Sequence, residues 1–327
     1  MSGTDGAPFS VAEIEAARAS IADLIVETPV HPWRAPEITA ALGPEGAPFL
    51  KLELFQRTGS FKVRGALHSL LKLSDEQAAR GVVTVSAGNH AQAVAYAGRE
   101  LGISATVVMF EGAVPGKVEA TRGYGAEVMM EPDVHQAFET VERLRRERGL
   151  TFIHPFDAAD MVAGHGSLGL EIQEDLPGVH TVVVPVGGGG LISGVAAALR
   201  GPGSTIRVLG VEPEGAPGMT RALEAGKPVH LESLDTIADG LAPPFVGELN
   251  LEHVRSQVEQ VVLVTDDEIR TALRLLLERC KLGAEPAGAA AVAALLAGKI
   301  QVSADSDVVA VISGGNLDLA GFSRMLR

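Results

Sequence analysis

The chain has 327 residues, with 27 Lys and Arg against 41 Asp and Glu, giving a formal net charge of −14. That acidity excludes a protein built to grip a nucleic-acid backbone, which needs a basic face. Hydrophobic residues at 46% and charged residues at 21% are ordinary globular usage, and the length suits two domains or one large one.

Cys280 is the single cysteine, so no intrachain disulfide forms and a reducing compartment is expected. Met1–Phe9 lacks the basic and apolar regions of a secretory signal. The most apolar stretch, Ala287–Gly298, is shorter than the roughly 20 residues needed to span a bilayer. These features predict a soluble, cytoplasmic protein. Glycine, at 38 residues, is in excess, and part of that excess should lie where backbone turns sharply or approaches something closely.

Ser10 and Glu13 form a capping box ahead of a helical pattern that continues to Leu24. Strand-like runs follow at Phe49–Leu54, Val82–Val85, Ala105–Phe110, Glu127–Met130, Thr181–Val186, Ile206–Val211, Val261–Val264 and Val308–Ile312. Most are short, continuously apolar and Val-rich, as strands buried on both faces read. Helical patterns lie between most of them, at Ala91–Leu101, Val134–Arg148, Leu191–Leu199, Asp266–Lys281 and Ala287–Leu296. Such alternation predicts an α/β protein with parallel sheets. Three segments, starting at Val82, Val182 and Val308, share the order apolar strand, small-residue turn, helix. In open α/β sheets ligands bind beyond the carboxyl ends of strands, so the three turns are candidate walls of one pocket.

Gly187-Gly188-Gly189-Gly190 is the clearest of these turns. Its N–H groups and the following helix N-terminus form a natural anion cradle. The Gly-Lys-Ser/Thr ending of a P-loop is missing. A dinucleotide fingerprint is half-matched: Glu212 stands about 20 residues on, but the third glycine slot falls on Ile192 or Ser193. A tight turn without a ligand is the plain alternative.

The stretch Thr58–Ala66 places Lys62 at a helix start beside Phe61. A solvated lysine is the default reading. Yet cations are disfavoured at a helix N-terminus, and desolvation would lower the amine's pKa further. A lysine that must attack a carbonyl as the neutral amine needs such a site.

With these residues in view the chain resembles the fold-type II pyridoxal phosphate (PLP) enzymes, in the threonine/serine dehydratase and serine racemase group. The resemblance runs through Lys51–Ala66 (KLELFQRTGSFKVRGA), Ser86–Gln92 (SAGNHAQ), Pro185–Gly194 (PVGGGGLISG) and Gly210–Pro213 (GVEP). It continues through Ala238-Asp239-Gly240, Glu285–Ala289 (EPAGA) and Ser313–Asn316 (SGGN), seven segments in order. It implies two open twisted parallel-sheet domains with flanking helices, like tryptophan synthase β. The expected large domain spans residues 1–73 and 160–327, and the small domain 74–159.

The resemblance implies that Lys62 carries the cofactor as a Schiff base, flanked by Phe61. Gly187, Gly188, Gly189, Gly190 and Leu191 would bind its phosphate, Asn89 its ring hydroxyl, and Ser313 its pyridine nitrogen. Ser86, Gly88, Asn89 and His90 would bind the substrate carboxylate. A hydroxyl at the pyridine nitrogen, unlike a carboxylate, does not hold that nitrogen protonated, and this tilts the chemistry toward β-elimination. The expected reaction converts L-threonine and/or L-serine to a 2-oxo acid and ammonia, with Lys62 removing the α-proton. Alternatives on the same scaffold are racemisation and dehydration of a specialised β-hydroxy amino acid.

Racemases of this family place a serine immediately before the Gly of G-N-H; here that residue is Ala87, which cannot carry a proton. Racemase-like members bind a divalent cation through the Glu of G-V-E-P and a later acid. Glu212 is present, but the later slot falls near Pro217-Gly218, so no metal is expected, with a site at Glu212, to which Glu214 lies close in sequence, as the weaker alternative. His165 stands where many relatives have Gln and reads as a packed side chain, as does Cys280. Thr236–Gly247 is expected to face the pocket, with a rigid turn as the alternative. The sequence runs 11 residues beyond Asn316, so the regulatory domain of longer relatives is not expected. A homodimer or homotetramer is expected, with a small amino acid as substrate and neither nucleic acid nor membrane as partner.

Overall fold

The computed structural model describes residues 9–33, 36–42, 48–201, 203–302 and 306–325. Met1–Pro8, part of the stretch read above for a signal, lies outside them. In chain order the described strands are β1 (Val30–Pro32), β2 (Phe49–Leu52), β3 (Val82–Val85), β4 (Ala105–Phe110) and β5 (Glu127–Glu131). They continue as β6 (Thr151–Phe152), β7 (Val179–Pro185), β8 (Arg207–Pro213), β9 (Gln260–Val264) and β10 (Asp307–Ile312). They form a six-stranded sheet of order β1-β2-β10-β7-β8-β9 and a four-stranded sheet of order β5-β4-β3-β6. Every pairing is parallel except β1 with β2. The protein is thus two parallel-sheet α/β domains.

Central strands β3, β7, β8 and β10 are the Val-rich runs, and their residues are almost all buried, as helices on both faces require. The edge strand β5 has no fully buried residue. Two strands escape sequence reading. β1 and β6 are three and two residues long, too short to set up a periodicity.

Helix ends follow the expected chemistry. The Ser10–Glu13 box is formed, and Ser74–Gln77 and Thr265–Glu268 make two more. The expected helix Asp266–Lys281 divides: the α-helix stops at Leu275, and Leu276–Cys280 widens into a π-turn. Leu276 and Leu282, six residues apart, are both in the core, and a regular α-helix would set them on different faces. The wider turn brings them together, closed by Leu282 N–H donating to the Leu276 carbonyl at 3.0 Å.

Helix Ala159–Asp175 is the wedge that sets the pocket's geometry. It lies between helix Lys62–Leu71 on one side and helix Gly190–Leu199 on the other, with twelve of its residues buried. Backbones touch at both contacts. A Cβ on Gly164 would sit 2.6 Å from the Arg64 carbonyl oxygen, and one on Gly194 would sit 2.5 Å from that of Val162. One wedge therefore spaces the helix that starts at Lys62 from the helix that starts at the glycine tetrad.

Candidate active site

Lys62 is the first residue of its helix, and Phe61 N–H donates to the Ser313 carbonyl at 3.1 Å, tying the helix start to the end of β10. The Lys62 amine donates to the Pro155 carbonyl oxygen at 2.7 Å and lies 5.1 Å from the centre of the Phe61 ring. Burial pushes its pKa down to about 8, so an appreciable fraction is neutral amine near neutrality. Beneath it, Arg64 is fully buried, with its guanidinium forked between Glu53 (2.8 Å) and Glu171 (2.6 Å); Lys51 also reaches Glu171 at 2.9 Å. With Asp175 also 3.0 Å from Lys51, this cluster of two cations and three carboxylates clamps the first turn of the Lys62 helix to the chain after β2 and to the wedge helix.

β10 and β7 are neighbours, with Ala310 paired to Val183, so Ser313 and the glycine tetrad emerge side by side. Gly189 has φ +93°, which only glycine adopts without strain. Phe156 fills the space under the loop: a Cβ on Gly188 would lie 2.3 Å from its ring, and one on Gly190 would lie 2.8 Å from its carbonyl oxygen. Asn250 locks this arrangement by donating to the Phe156 carbonyl (3.0 Å) and the Gly188 carbonyl (2.9 Å). Among the described residues the N–H groups of Gly187, Gly188, Gly189, Gly190 and Leu191 have no hydrogen-bond acceptor. Five free donors at a helix N-terminus form an anion cradle.

A second cradle follows β3. The N–H groups of Asn89, His90 and Ala91, at the start of helix Asn89–Leu101, are also without acceptors among the described residues, while Gly88 N–H is taken by Ser86 Oγ at 3.2 Å. His90 offers its N–H only. Its ring is buried, 3.0 Å from Thr84 Oγ1 and 3.3 Å from the Ile153 carbonyl, and burial holds its pKa well below the usual histidine range. Asn89 reaches residues far along the chain, donating to Glu285 and accepting from Asn316 Nδ2 at 2.9 Å. Glu285 is buried, which raises its pKa to about 7, against the pull of the Lys117 ammonium. Ala87 presents only a methyl group at this turn.

Other residues singled out in the sequence fall outside this constellation. Glu212 turns inward: its two oxygens accept from Met219 N–H (2.6 Å), Thr220 N–H (2.9 Å) and Thr220 Oγ1 (2.8 Å), so it caps helix Gly218–Ala225. Glu214 points elsewhere, toward Lys299 at 3.7 Å. Among the described residues no three His, Cys, Asp or Glu side chains are grouped to hold a metal. His165 is buried behind the site, edge-on to Phe61 at 4.8 Å, with no hydrogen-bond partner for either ring nitrogen among the described residues. Cys280 lies in the π-turn, and burial raises its thiol pKa to about 11. Of Thr236–Gly247, Leu241 and Pro243 pack against Gly187, while Thr236 bonds to Asp266.

Sequence reasoning missed Pro155, Phe156, Asn250 and Lys117, and assigned Glu285 no role. Pro155 and Phe156 act through carbonyl oxygens and ring shape, which no motif spacing displays. Asn250 and Lys117 reach the site from segments distant in the chain.

The two cradles and the desolvated amine suit a ligand with an anionic phosphate, a reactive aldehyde and a partner that carries a carboxylate. The buried Ser313 hydroxyl and the Asn89 amide, close by, suit a polar ring. The comparisons agree. The profile of the pyridoxal-phosphate dependent enzyme family matches residues 21–314, and the chain belongs to that family. It is similar to the L-threonine ammonia-lyase of Thermotoga maritima, 45% identical over 86% of this chain and 70% of that one. The phenylserine dehydratase of Ralstonia pickettii is 46% identical over 84% of this chain and 85% of that one, and the catabolic L-threonine dehydratase of Staphylococcus aureus 42% over 97% and 92%. Among solved structures, maize serine racemase superposes with a TM-score of 0.90 at 38% identity, covering 96% of each chain.

Proposed function

We propose that the protein is a PLP-dependent dehydratase that removes water and then ammonia from a β-hydroxy amino acid, L-threonine and/or L-serine. The observation that carries this reading is the desolvated Lys62 amine set between two rows of free N–H donors, one after β7 and one after β3. Names of the similar proteins support the substrate class. Bound PLP supplies an electron sink that stabilises negative charge at the substrate Cα.

In this reading Lys62 holds the cofactor covalently and, once freed, takes the Cα proton. Gly187, Gly188, Gly189, Gly190 and Leu191 donate to the phosphate through backbone N–H groups. Asn89 positions the ring hydroxyl, Ser313 the pyridine nitrogen, and Phe61 flanks Lys62. Ser86, Gly88, Asn89 and His90 form the carboxylate cradle, His90 through its backbone. Loss of the β-hydroxyl with a proton gives water. The released enamine then takes up water to yield the 2-oxo acid and ammonia. Residues 74–159 form the small domain and residues 1–73 and 160–327 the large one, so that the two cradles sit on opposite walls of the cleft.

No helix among the described residues is long and apolar enough to cross a membrane. A single cysteine fits a reducing compartment such as the cytoplasm, and the expected homo-oligomer rests on the family likeness alone.

Two nearby readings have specific support: racemisation from the serine racemase likeness, and a bulkier β-hydroxy amino acid from the phenylserine dehydratase likeness. Ala87 opposes the first, because the position immediately before Gly88 holds a methyl group and no proton carrier. The deciding experiment supplies the PLP-loaded protein with L-threonine, L-serine and L-phenylserine and measures 2-oxo acid and ammonia. Absence of oxo acid from all three would end the proposal.

A further inference from the structure

We propose that the ion pair between Lys117 and Asp239 is a strut that holds the two domains together across the cleft, making Lys117 a positioning residue for the substrate. This deepens the function proposed above and rests on it.

Lys117 lies on helix Pro115–Gly123, which follows β4. β4 is hydrogen-bonded to β3, and β3 leads directly into the turn that carries the carboxylate cradle. Helix and cradle therefore move as one body. Asp239 opens the turn Asp239–Leu241 on the other side of the cleft, and Lys117 Nζ donates to its Oδ2 at 2.9 Å. That turn is seated on the glycine loop: a Cβ on Gly187 would lie 3.1 Å from Leu241 Cα and 3.3 Å from the Gly240 carbonyl oxygen. The strut thus ends on the two elements that bear the two anion cradles, and its length sets the gap between them.

The pair is asymmetric in burial. The Lys117 side chain is 10% exposed and that of Asp239 is 57% exposed. A nearly buried ammonium must be paired or it disfavours the closed cleft. Glu285 also pulls on this ammonium and accepts from Asn89. Its neighbour across the turn is Ala287, whose Cβ lies 3.0 Å from the Cβ position of Gly240. Lys117 therefore draws both Asp239 and the head of helix Pro286–Leu296 toward the small domain. Without Asp239 the closed arrangement retains a nearly buried cation that has lost its hydrogen-bonded partner and keeps only the pull of Glu285, and its population falls. A ligand that binds only the closed form then shows an apparent affinity reduced by that population.

The test uses the PLP-loaded enzyme as wild type, Asp239→Asn, Lys117→Met and the double variant. Steady-state oxo-acid formation from L-threonine is measured alongside amide hydrogen exchange in L-2-aminobutyrate, which has the substrate's carboxylate and amine but no leaving group. Asp239→Asn is expected to raise KM about tenfold with a much smaller change in kcat and an unaltered cofactor absorbance, and to speed exchange in helix Pro115–Gly123. The double variant is expected to be no worse than Lys117→Met alone, because both changes remove one interaction. Unchanged KM and exchange in Asp239→Asn overturn the strut, as do losses that multiply in the double variant. If the wild type forms no oxo acid, the proposed function fails, while the exchange comparison still decides the strut.

Discussion

The amine of Lys62 lies 2.7 Å from the carbonyl oxygen of Pro155, and the next residue, Phe156, supports the glycine loop from below. One short segment thus spaces the Lys62 amine from the glycine loop. His154 braces it, its Nδ1 accepting from Asp157 N–H at 2.8 Å. The carboxylate of Asp157 in turn accepts from Glu248 N–H at 3.2 Å, at the start of the helix that carries Asn250.

The depressed pKa of Lys62 has a visible consequence. With a value of about 8, set by burial, the neutral fraction rises about tenfold per pH unit below 8 and levels off above it. Incorporation of PLP into apoenzyme, followed by its visible absorbance, should show that plateau. A continued rise to pH 10 would mean that the amine behaves as an ordinary lysine. Lys62→Ala should lose the covalent absorbance and at least about 10³-fold in turnover.

Gly188→Ala tests the floor of the cradle. The new Cβ would lie 2.3 Å from the Phe156 ring, so ring or loop must move, at a cost of about 1–3 kcal/mol. PLP dissociation, followed by dialysis and fluorescence, should become at least about tenfold easier. Phe156→Ala in the same chain should recover part of that loss by making room for the methyl group.

Breaking the buried ion cluster should cost more than any surface pair. Arg64→Met leaves Glu171 paired with Lys51 and Glu53 buried with only the Thr28 hydroxyl, and removing one partner of such a network costs about 3–5 kcal/mol. A fall in the urea midpoint of that size is expected. Arg64→Lys should recover little, because one ammonium cannot fork between two carboxylates.

Glu285 makes stability depend on pH. Its folded pKa of about 7 lies above its ordinary 4.5 because of burial, so the folded state holds the proton more tightly than the unfolded one. The associated stabilisation is complete below pH 4.5 and is lost as pH rises through 7, a change on the order of 3 kcal/mol. Glu212, also buried and raised to about 7, titrates over the same range, so Glu285→Gln should remove part of this slope in the thermal-denaturation profile and Glu285→Gln with Glu212→Gln most of it. A slope undiminished in Glu285→Gln would assign the effect to another group.

Ala87→Ser places a hydroxyl at the turn where this chain has only a methyl group. Chiral analysis of L-serine reactions should find oxo acid with little D-serine for the wild type and a clear gain of D-serine for the variant. Abundant D-serine from the wild type would favour racemisation.

The sequence by itself determined the parallel α/β class, because strands buried on both faces must be written as unbroken apolar runs. Val82–Val85 and Ala105–Phe110 stand where those runs predict. It also marked Lys62 and the glycine tetrad, whose local chemistry at helix starts is odd enough to be seen in isolation. Tertiary structure alone decided what surrounds them. The direction of Glu212 into a helix cap, the burial of the His90 ring against Thr84, and the π-turn at Leu276–Cys280 depend on which partners packing brings near. Pro155, Phe156, Asn250, Glu285 and Lys117 become neighbours of the site only when chain segments far apart in sequence meet. Long-range contact carries no local periodicity, so one-dimensional reading has nothing there to detect.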